Sequence, residues 1–466
     1  MNVNPTRYRR FGLGALGLLL ALLVFAGCKG VPAPGERGAR SDLETVAASY
    51  RTGNRKPDLP PLAPGSGLSN YLAFALLESP RVEAAYYDWA ASVEGITVGR
   101  SLPDPQLTLQ AYITDMLTSL MPGFLWNFPG PGKLSARGAA AAAASQGRYF
   151  AFESAVLQAA FDLEKAFYEL SFLDERLRIN RETLSLLDNL EHIARAQNEV
   201  GKATLQDVLR AQIERDRVAT DIANLEDSRR PRMAAFKAAL GLTRGQPDPP
   251  VPARPEPAAA APDSDAVLRT GFDRNPRLKS MEADVRAAEA GIAMAYRERV
   301  SDFSVGLSAD VKASPVLYWP QAGMSLPVWR DKLAAEIAGA KRTELAAQAR
   351  LGAEQIGLTV DFAEKSFAYR EIGRNLSLLQ TRLIPKARQS LEIARAGYLS
   401  GTIDFFNLMD AERTLLEFQM KEVEARTDRE VVLAELSLLI AGVPPAGAPV
   451  LPAPRMPSTR ASTSIH

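Results

Sequence analysis

Residues 164–201 read EKAFYELSFLDERLRINRETLSLLDNLEHIARAQNEVG, and this stretch determines the fold expected for the whole chain. Its leucines recur at steps of three, four and seven residues, as in helices that pack against other helices: Leu170, Leu173, Leu177, Leu184 and Leu187. No proline occurs from Ser135 to Asn198, so the sequence predicts one very long helix. About fifty such residues would extend roughly 75 Å, well beyond the thickness of a bilayer. Because charged residues occur throughout, water must cover one face and partner helices another.

Glycines end this helix and its counterpart in the second half of the chain. Gly201 interrupts the first pattern and Gly401 the second, and each glycine is followed by a further helical pattern of about 40 residues. The sequence therefore predicts two long antiparallel helical hairpins.

The two halves resemble each other. Lys133-Leu134 matches Lys332-Leu333, and from the pair Glu164-Lys165 and Glu364-Lys365 onward the offset stays at about 200 residues without a gap. Further matches are Ser79-Pro80-Arg81-Val82 with Asn275-Pro276-Arg277-Leu278, and Ala194-Arg195-Ala196 with Ala394-Arg395-Ala396. We predict tandem copies at 69–243 and 264–443; the alternative is two unrelated helical domains of similar composition.

Segments rich in proline, glycine and small polar residues flank these copies. We expect 28–68 to be an extended tether, 244–263 a proline-rich linker and 444–466 a disordered tail.

Each copy also contains a stretch that predicts strands, at about 104–129 and about 300–328. Leu107-Thr108-Leu109-Gln110 alternates apolar and polar residues, and the segment 303–308 does the same. Aromatic residues near the strand ends are typical of a membrane sheet's interfacial girdle: Trp126, Tyr318 and Trp319. Two strands of roughly 10–12 residues per copy could cross a bilayer at a tilt. A surface hairpin on a soluble domain is the alternative.

Four membrane strands cannot close a barrel, because about eight is the smallest number known. An open edge in lipid leaves backbone groups unpaired, so a chain with such strands must oligomerise. Three copies would supply twelve strands and six helical hairpins.

The N-terminus has the pattern of a secretory signal. Arg7, Arg9 and Arg10 precede an apolar stretch at 11–26, and the only cysteine, Cys28, follows. Phe25-Ala26-Gly27-Cys28 resembles the bacterial lipobox, although Phe25 replaces its usual leucine. This predicts a signal peptide at 1–27 and acylation of Cys28, with palmitate among the acyl groups. Lys29 stands where lipoproteins retained at the inner membrane typically carry Asp, so it favours transfer to the outer membrane. The alternatives are simple secretion and a retained anchor helix with an incidental cysteine.

Composition argues against several classes of protein. Lys and Arg total 55 against 54 Asp and Glu, a net charge of +1, which argues against nucleic-acid binding. The sequence has only two histidines and lacks metal-ligand spacings, phosphate-binding loops and nucleophile motifs. We therefore expect a protein that is not an enzyme and that binds no cofactor or metal.

The repeat, the two turns and the strand exits at 128–133 and Leu326-Pro327-Val328-Trp329 resemble the TolC-like outer-membrane efflux proteins, in particular their lipidated branch. The resemblance covers about 70–443. It implies a mainly α fold with a small membrane β-region: a homotrimer whose twelve-strand β-barrel continues into a periplasmic helical tunnel. Such a protein is the passive exit duct of a tripartite efflux system in the outer membrane, with a periplasmic adaptor (membrane fusion) protein and an inner-membrane pump of RND or ABC type. The alternative is a non-channel periplasmic coiled-coil lipoprotein with a structural or adaptor role.

The resemblance also implies a periplasmic gate at the turns. Asp410 and Asn407 occupy the two places where the family rings its aperture with acids, so Asn407 is a departure that leaves Asp410, with Asp404, to set the charge. The alternative for Asp410 is a solvated acid favoured by a helix N-terminus.

By the same likeness, Asp207 is expected to hydrogen-bond Tyr398 and help hold the mouth closed. Ile403 replaces a basic residue of this latch, which implies a weaker or different latch. The alternative for Asp207 is again a solvated acid at a helix N-terminus.

Overall fold

The computed structural model describes residues 32–445, apart from 34, 52, 54, 114–116, 244 and 251–263. The predictions for the signal peptide, Cys28, the linker beyond 250 and the tail beyond 445 concern residues outside this range. The described residues divide into two compact units, one of 32–39, 93–143 and 287–341, the other of the remaining described segments. Each unit contains segments of both copies, so the units do not coincide with the copies.

The first unit contains an antiparallel sheet with the order β1-β2-β3-β4. Its strands are β1 (Gln106–Ile113), β2 (Leu117–Phe128), β3 (Phe303–Asp310) and β4 (Leu317–Met324). The copies meet where β2 pairs with β3, with Trp126 opposite Val305. The predicted combination of long helices and a small four-stranded sheet is confirmed, although β1, β3 and β4 have only 8 residues each.

Strand alternation gives the sheet two different faces. Trp126 lies opposite Val305, and both are exposed on an apolar face. Tyr318 pairs with Ala309 on this same face, whereas Trp319 pairs with Ser308 on the other. Of the three predicted girdle aromatics, Trp126 and Tyr318 therefore share a face and Trp319 lies opposite.

Helices lead into and out of the strands in the same order in both copies. In the first copy α2 (Leu68–Glu78) and α3 (Pro80–Arg100) precede the strands, and α4 (Lys133–Glu199) and α5 (Leu205–Ala239) follow. In the second copy the corresponding elements are α6 (Ser264–Arg274), α7 (Pro276–Arg297), α8 (Arg330–Leu378), α9 (Ile384–Ser400) and α10 (Phe405–Ala434). Among the described residues, none of these helices combines the length and the apolar character needed to cross a bilayer.

A π-helical segment, Leu379–Leu383, joins α8 to α9, and a second one, Glu435–Ile440, follows α10. Pro385 lies in the first turn of α9 and has no N–H to donate to the preceding helical turn. A wider π turn accommodates that missing hydrogen bond while the helix continues.

Helix α5 and the part of α4 that lies in the second unit are antiparallel, as their ion pairs show. Arg215 Nη1 lies 2.6 Å from Glu191 Oε2 near the turn, and Arg181 Nη2 lies 2.6 Å from Glu226 Oε1 further along both helices. Glu191 is buried and also accepts from Gln212 and Arg195. The hydrogen bond from Gln212 and the positive charges of the two arginines outweigh burial and lower the pKa of Glu191.

The prediction of an extended tether at 28–68 is wrong in part, because Glu36–Tyr50 forms α1. Within this stretch no glycine or proline follows Gly38, so a helix can form despite the proline-rich flanks. Glu36 is buried and pairs with Arg100 in the first unit. In the second unit the buried Arg51 donates to Leu77 O at 3.0 Å.

Aromatic packing forms one part of the core of the second unit. Trp89 is 1% exposed and stacks on Phe152, with 5.8 Å between ring centroids. Tyr86 contacts both rings edge-on, and Tyr50 of α1 contacts Tyr86 at 5.2 Å. Burial of these large side chains fixes the end of α1 against α3 and α4.

Candidate functional site

The two hairpin turns use the same hydrogen-bond pattern. Gly201 has a φ of +69° and Gly401 one of +79°, a left-handed conformation that glycine adopts without steric cost. Lys202 N donates to Gln197 O at 2.8 Å, and Thr402 N donates to Gly397 O at 2.8 Å. These bonds satisfy carbonyls at the ends of α4 and α9 and reverse the chain.

Each turn ends in a helix cap that begins the returning helix. In the first turn Thr204 Oγ1 accepts from Asp207 N at 3.3 Å, and Asp207 Oδ2 accepts from Thr204 N at 3.0 Å. In the second turn Asp404 Oδ1 accepts from Asn407 N at 2.9 Å. Asp207 and Asp404 therefore stabilise the N-termini of α5 and α10.

The hydrogen bond predicted between Asp207 and Tyr398 is absent from this structure. The carboxylate of Asp207 accepts instead from the backbone and hydroxyl of Thr204. The hydroxyl of Tyr398 is buried without a hydrogen-bond partner among the described residues, and its ring packs edge-on against Phe405 at 5.3 Å. Burial raises the pKa of Tyr398, and the negative charge of Asp207 adds to this effect. The capping box forms in place of the Asp207–Tyr398 hydrogen bond because Thr204 and Asp207 are only three residues apart.

We expect Thr204→Ala to lower the free energy of unfolding by about 1 kcal/mol, because the N-terminus of α5 loses its cap. Denaturant unfolding in detergent, followed by circular dichroism, measures this difference. Thr220→Ala is the control, since Thr220 lies within α5 and its hydroxyl donates only to Asp216 O of the same helix. An equal loss in both variants would show that the cap has no special role.

Asn407 and Asp410 lie one helical turn apart on an exposed face of α10. Together with Ile403 they line a cavity of about 250 Å³. Ile403 packs against Gly397, where a Cβ atom would lie only 2.6 Å from its side chain. The structure thus brings the predicted aperture residues to one surface, with Asp404 at the start of the same helix.

An apolar cluster beneath the turns joins the two hairpins. Phe405 and Leu408 of α10 pack in it with Ala211 of α5 and Leu190 of α4, all at most 2% exposed. The leucine spacing predicted that these helices pack together, but not which faces meet.

The structure also reveals a buried acid that the sequence pattern did not single out. Glu412 of α10 is 4% exposed, and its Oε2 atom has no hydrogen-bond partner among the described residues. Glu412 lines a cavity of about 550 Å³ that Arg176 of α4 also lines. Burial raises the pKa of Glu412 to about 7.

Comparison with known proteins gives matches in sequence and in fold. The sequence profile of the family described as "Outer membrane efflux protein" matches residues 72–242 and 269–442. The cobalt-zinc-cadmium resistance protein CzcC of Cupriavidus metallidurans is 21% identical over 266 residues, which cover 55% of this chain and 61% of CzcC. The chain thus matches less than two thirds of that relative's length.

Solved structures resemble this one over most of the chain. CusC superposes with a TM-score of 0.70 at 16% identity, covering 83% of this chain and 98% of CusC. The open-state channel MtrE of Neisseria gonorrhoeae superposes with a TM-score of 0.69 at 16% identity, covering 82% and 89% of the two chains. At such low identity these likenesses establish a common fold.

Proposed function

Since the chain belongs to the outer membrane efflux protein family, we propose that it is the outer-membrane exit duct of a tripartite efflux system. In this proposal three copies form a passive conduit for small molecules or ions. The observation that carries it is the family match over both copies, together with a sheet whose two edges are open.

The sheet supports assembly into a ring. The outer edges of β1 and β4 have no neighbouring strand among the described residues. One face is apolar and exposed, with Leu107 73% and Val305 51% accessible. The apolar face is unfavourable in water, and the unpaired backbone groups of the edges are unfavourable in lipid. In a twelve-strand barrel of three sheets the apolar face would contact lipid and every strand edge would be paired.

We further propose that the turns form the periplasmic mouth. A threefold ring of Asp410 carboxylates, with Asn407 and Asp404 beside it, would concentrate negative potential in a narrow opening. Opening would require the α9–α10 hairpin to move outward and to break its packing against α4 and α5 in the apolar cluster beneath the turns.

The remaining parts of the proposal concern partners and location. A periplasmic adaptor (membrane fusion) protein would dock on the hairpin ends and join an inner-membrane pump of RND or ABC type. Acylation of Cys28 would anchor the chain in the outer membrane, with most of its mass in the periplasm. The pump, rather than the duct wall, would select the cargo.

Purified protein in detergent and in planar lipid bilayers tests the proposal. We expect trimers by native mass spectrometry and discrete conductance steps. A monomer whose strand ends near Trp126 and Trp319 are cut by protease in intact membranes would overturn it.

We expect Asp410→Ala to reduce the preference of the pore for cations, because it removes one carboxylate from each subunit at the aperture. Asn407→Asp should increase that preference by adding one. Reversal potentials in a salt gradient measure both shifts. Asp216→Ala is the control, since Asp216 is a 69% exposed acid on α5 that lies outside the turn. Equal reversal potentials in all three variants would exclude an aperture at Asp410.

A further inference from the structure

A buried lysine joins the two copies at the point where the strands meet the helices. Lys133 begins α4, and its side chain is 4% exposed. Its Nζ atom lies 2.9 Å from Asp302 Oδ1 and 3.0 Å from Glu298 Oε2. Asp302 Oδ1 also accepts from Gly130 N at 2.7 Å. Burial alone would lower the pKa of Lys133, but the two carboxylates outweigh it and raise this pKa.

The second copy repeats the cation of this cluster. Lys332-Leu333 corresponds to Lys133-Leu134, and Leu326-Pro327 corresponds to Phe128-Pro129 at the preceding strand exit. Lys332 is 70% exposed, and its ion-pair partner among the described residues is Glu336 on the same helix, at 3.7 Å. In a single chain Lys332 thus lacks the cross-copy acids that Lys133 has.

The first copy repeats the acid. Asp302 precedes Val305 by three residues, and Asp104 precedes Leu107 by three. Val305 and Leu107 lie on the same apolar face of the sheet, because Leu107 pairs with Phe124 and Phe124 with Leu307. A shift of one residue would place Leu107 on the wrong face. Asp302 also follows Asp104 by the same number of residues as Leu326 follows Phe128 at the strand exits, so the two acids occupy equivalent places. Asp104 is exposed.

We propose that Lys332 of each protomer pairs with Asp104 of the partner subunit, repeating between chains the contact that Lys133 and Asp302 make within one. This inference rests on the proposed ring. Within the chain, the second strand of one copy pairs with the first strand of the next, as β2 does with β3. In a closed ring the same relation places β4 beside β1 of the partner, which brings together the two open edges and, next to them, Lys332 and Asp104 of the partner subunit.

The equivalence also fixes the register between subunits. Trp126 pairs with Val305 within the chain, and their equivalents are Met324 and Leu107. Met324 is therefore expected opposite Leu107 of the partner subunit. Both residues lie on the apolar face and are exposed in the single chain, 55% and 73% respectively. This register places the two apolar side chains side by side on one face, as a continuous lipid-facing wall requires.

A short thiol-to-thiol reagent tests the contact in the full-length chain. We expect Asp104→Cys with Lys332→Cys to give covalent dimers and trimers on a denaturing gel. The matched pair Lys133→Cys with Asp302→Cys should react equally well but remain monomeric, because its two positions lie in one chain. Each single substitution, and the unchanged chain with Cys28 alone, should give no such bands.

Native mass spectrometry and conductance of the same samples separate the possible outcomes. A conducting trimer without covalent bands between subunits would overturn this inference and leave the proposed function intact. Absence of both trimer and conductance in the unchanged chain would instead overturn the proposed function, and this inference with it.

Charge reversal provides a second test that does not need cysteine. Asp104→Lys and Lys332→Asp should each lower the temperature at which trimers dissociate in detergent, and the double reversal should recover most of that loss. Additive losses in the double variant would overturn the pairing even where the cysteine variants fold poorly.

Discussion

Replacing Lys133 by Met is expected to lower the free energy of unfolding by about 2 kcal/mol, because two carboxylates then lose their common ammonium group. Removal of one partner from a fully buried ion pair costs more, but Asp302 and Glu298 are 46% and 37% exposed and water solvates part of their charge. Methionine preserves the packing of the buried lysine stem, so the loss isolates the charge. Denaturant unfolding in detergent measures it.

Acidity should change the effect of this substitution in a defined direction. Burial alone would raise the pKa of Asp302, but hydrogen bonds from Lys133 and Gly130 lower it in the folded protein. A carboxyl with a lowered pKa contributes stability that is present above its ordinary pKa and is lost as the pH falls through the folded value. The difference in free energy of unfolding between the original chain and Lys133→Met should therefore become smaller in acid. A difference independent of pH would show that the loss comes from packing rather than charge.

Glu412→Gln is expected to stabilise the protein by about 2 kcal/mol at pH 8 and to have little effect near pH 4. Glu412 is almost fully buried, and its Oε2 atom lacks a hydrogen-bond partner among the described residues, so the ionised form is unfavourable in the folded state. Glutamine has nearly the same shape and remains neutral at every pH.

The sign of this effect follows from the folded pKa of about 7, which lies above the ordinary value of 4.5. At a pH between these two values, Glu412 keeps its proton in the folded protein but has lost it in the unfolded chain. The contribution of Glu412 to stability is therefore fully present below about pH 4.5 and is lost as the pH rises through 7.

Melting temperatures of the two proteins from pH 4 to pH 8 measure the difference, which should grow as the pH rises. Burial also raises the pKa of Glu153 and Glu164 to about 7. Both proteins contain these two acids, so their contribution to the pH dependence of the melting temperature cancels in the comparison at each pH. Glu417→Gln is the control, because Glu417 is 56% exposed on the same helix. A constant difference between Glu412→Gln and the original chain would contradict the burial argument.

Most of the architecture could be predicted from local sequence. Leucine periodicity and the absence of proline from Ser135 to Asn198 predicted α4, and Gly201 and Gly401 predicted both turns. Alternation in Leu107-Thr108-Leu109-Gln110 predicted a strand, and the repeat led to the family to which the chain belongs. Helix and strand periods and the left-handed conformation of glycine depend on residues close together in the chain. Residues 36–50 were an exception, because proline and glycine on both sides of this short helix led to the prediction of an extended segment.

The contacts that give individual side chains their roles were decided by tertiary structure. Sequence could not show that Lys133 would be buried against Asp302, or that Glu412 would lack a partner. Nor could it show that Asp207 would cap α5 rather than bond Tyr398, since both partners were compatible with the turn. Burial and ion pairing depend on residues far apart in sequence and on which helix faces meet, whereas periodicity specifies only that such faces exist.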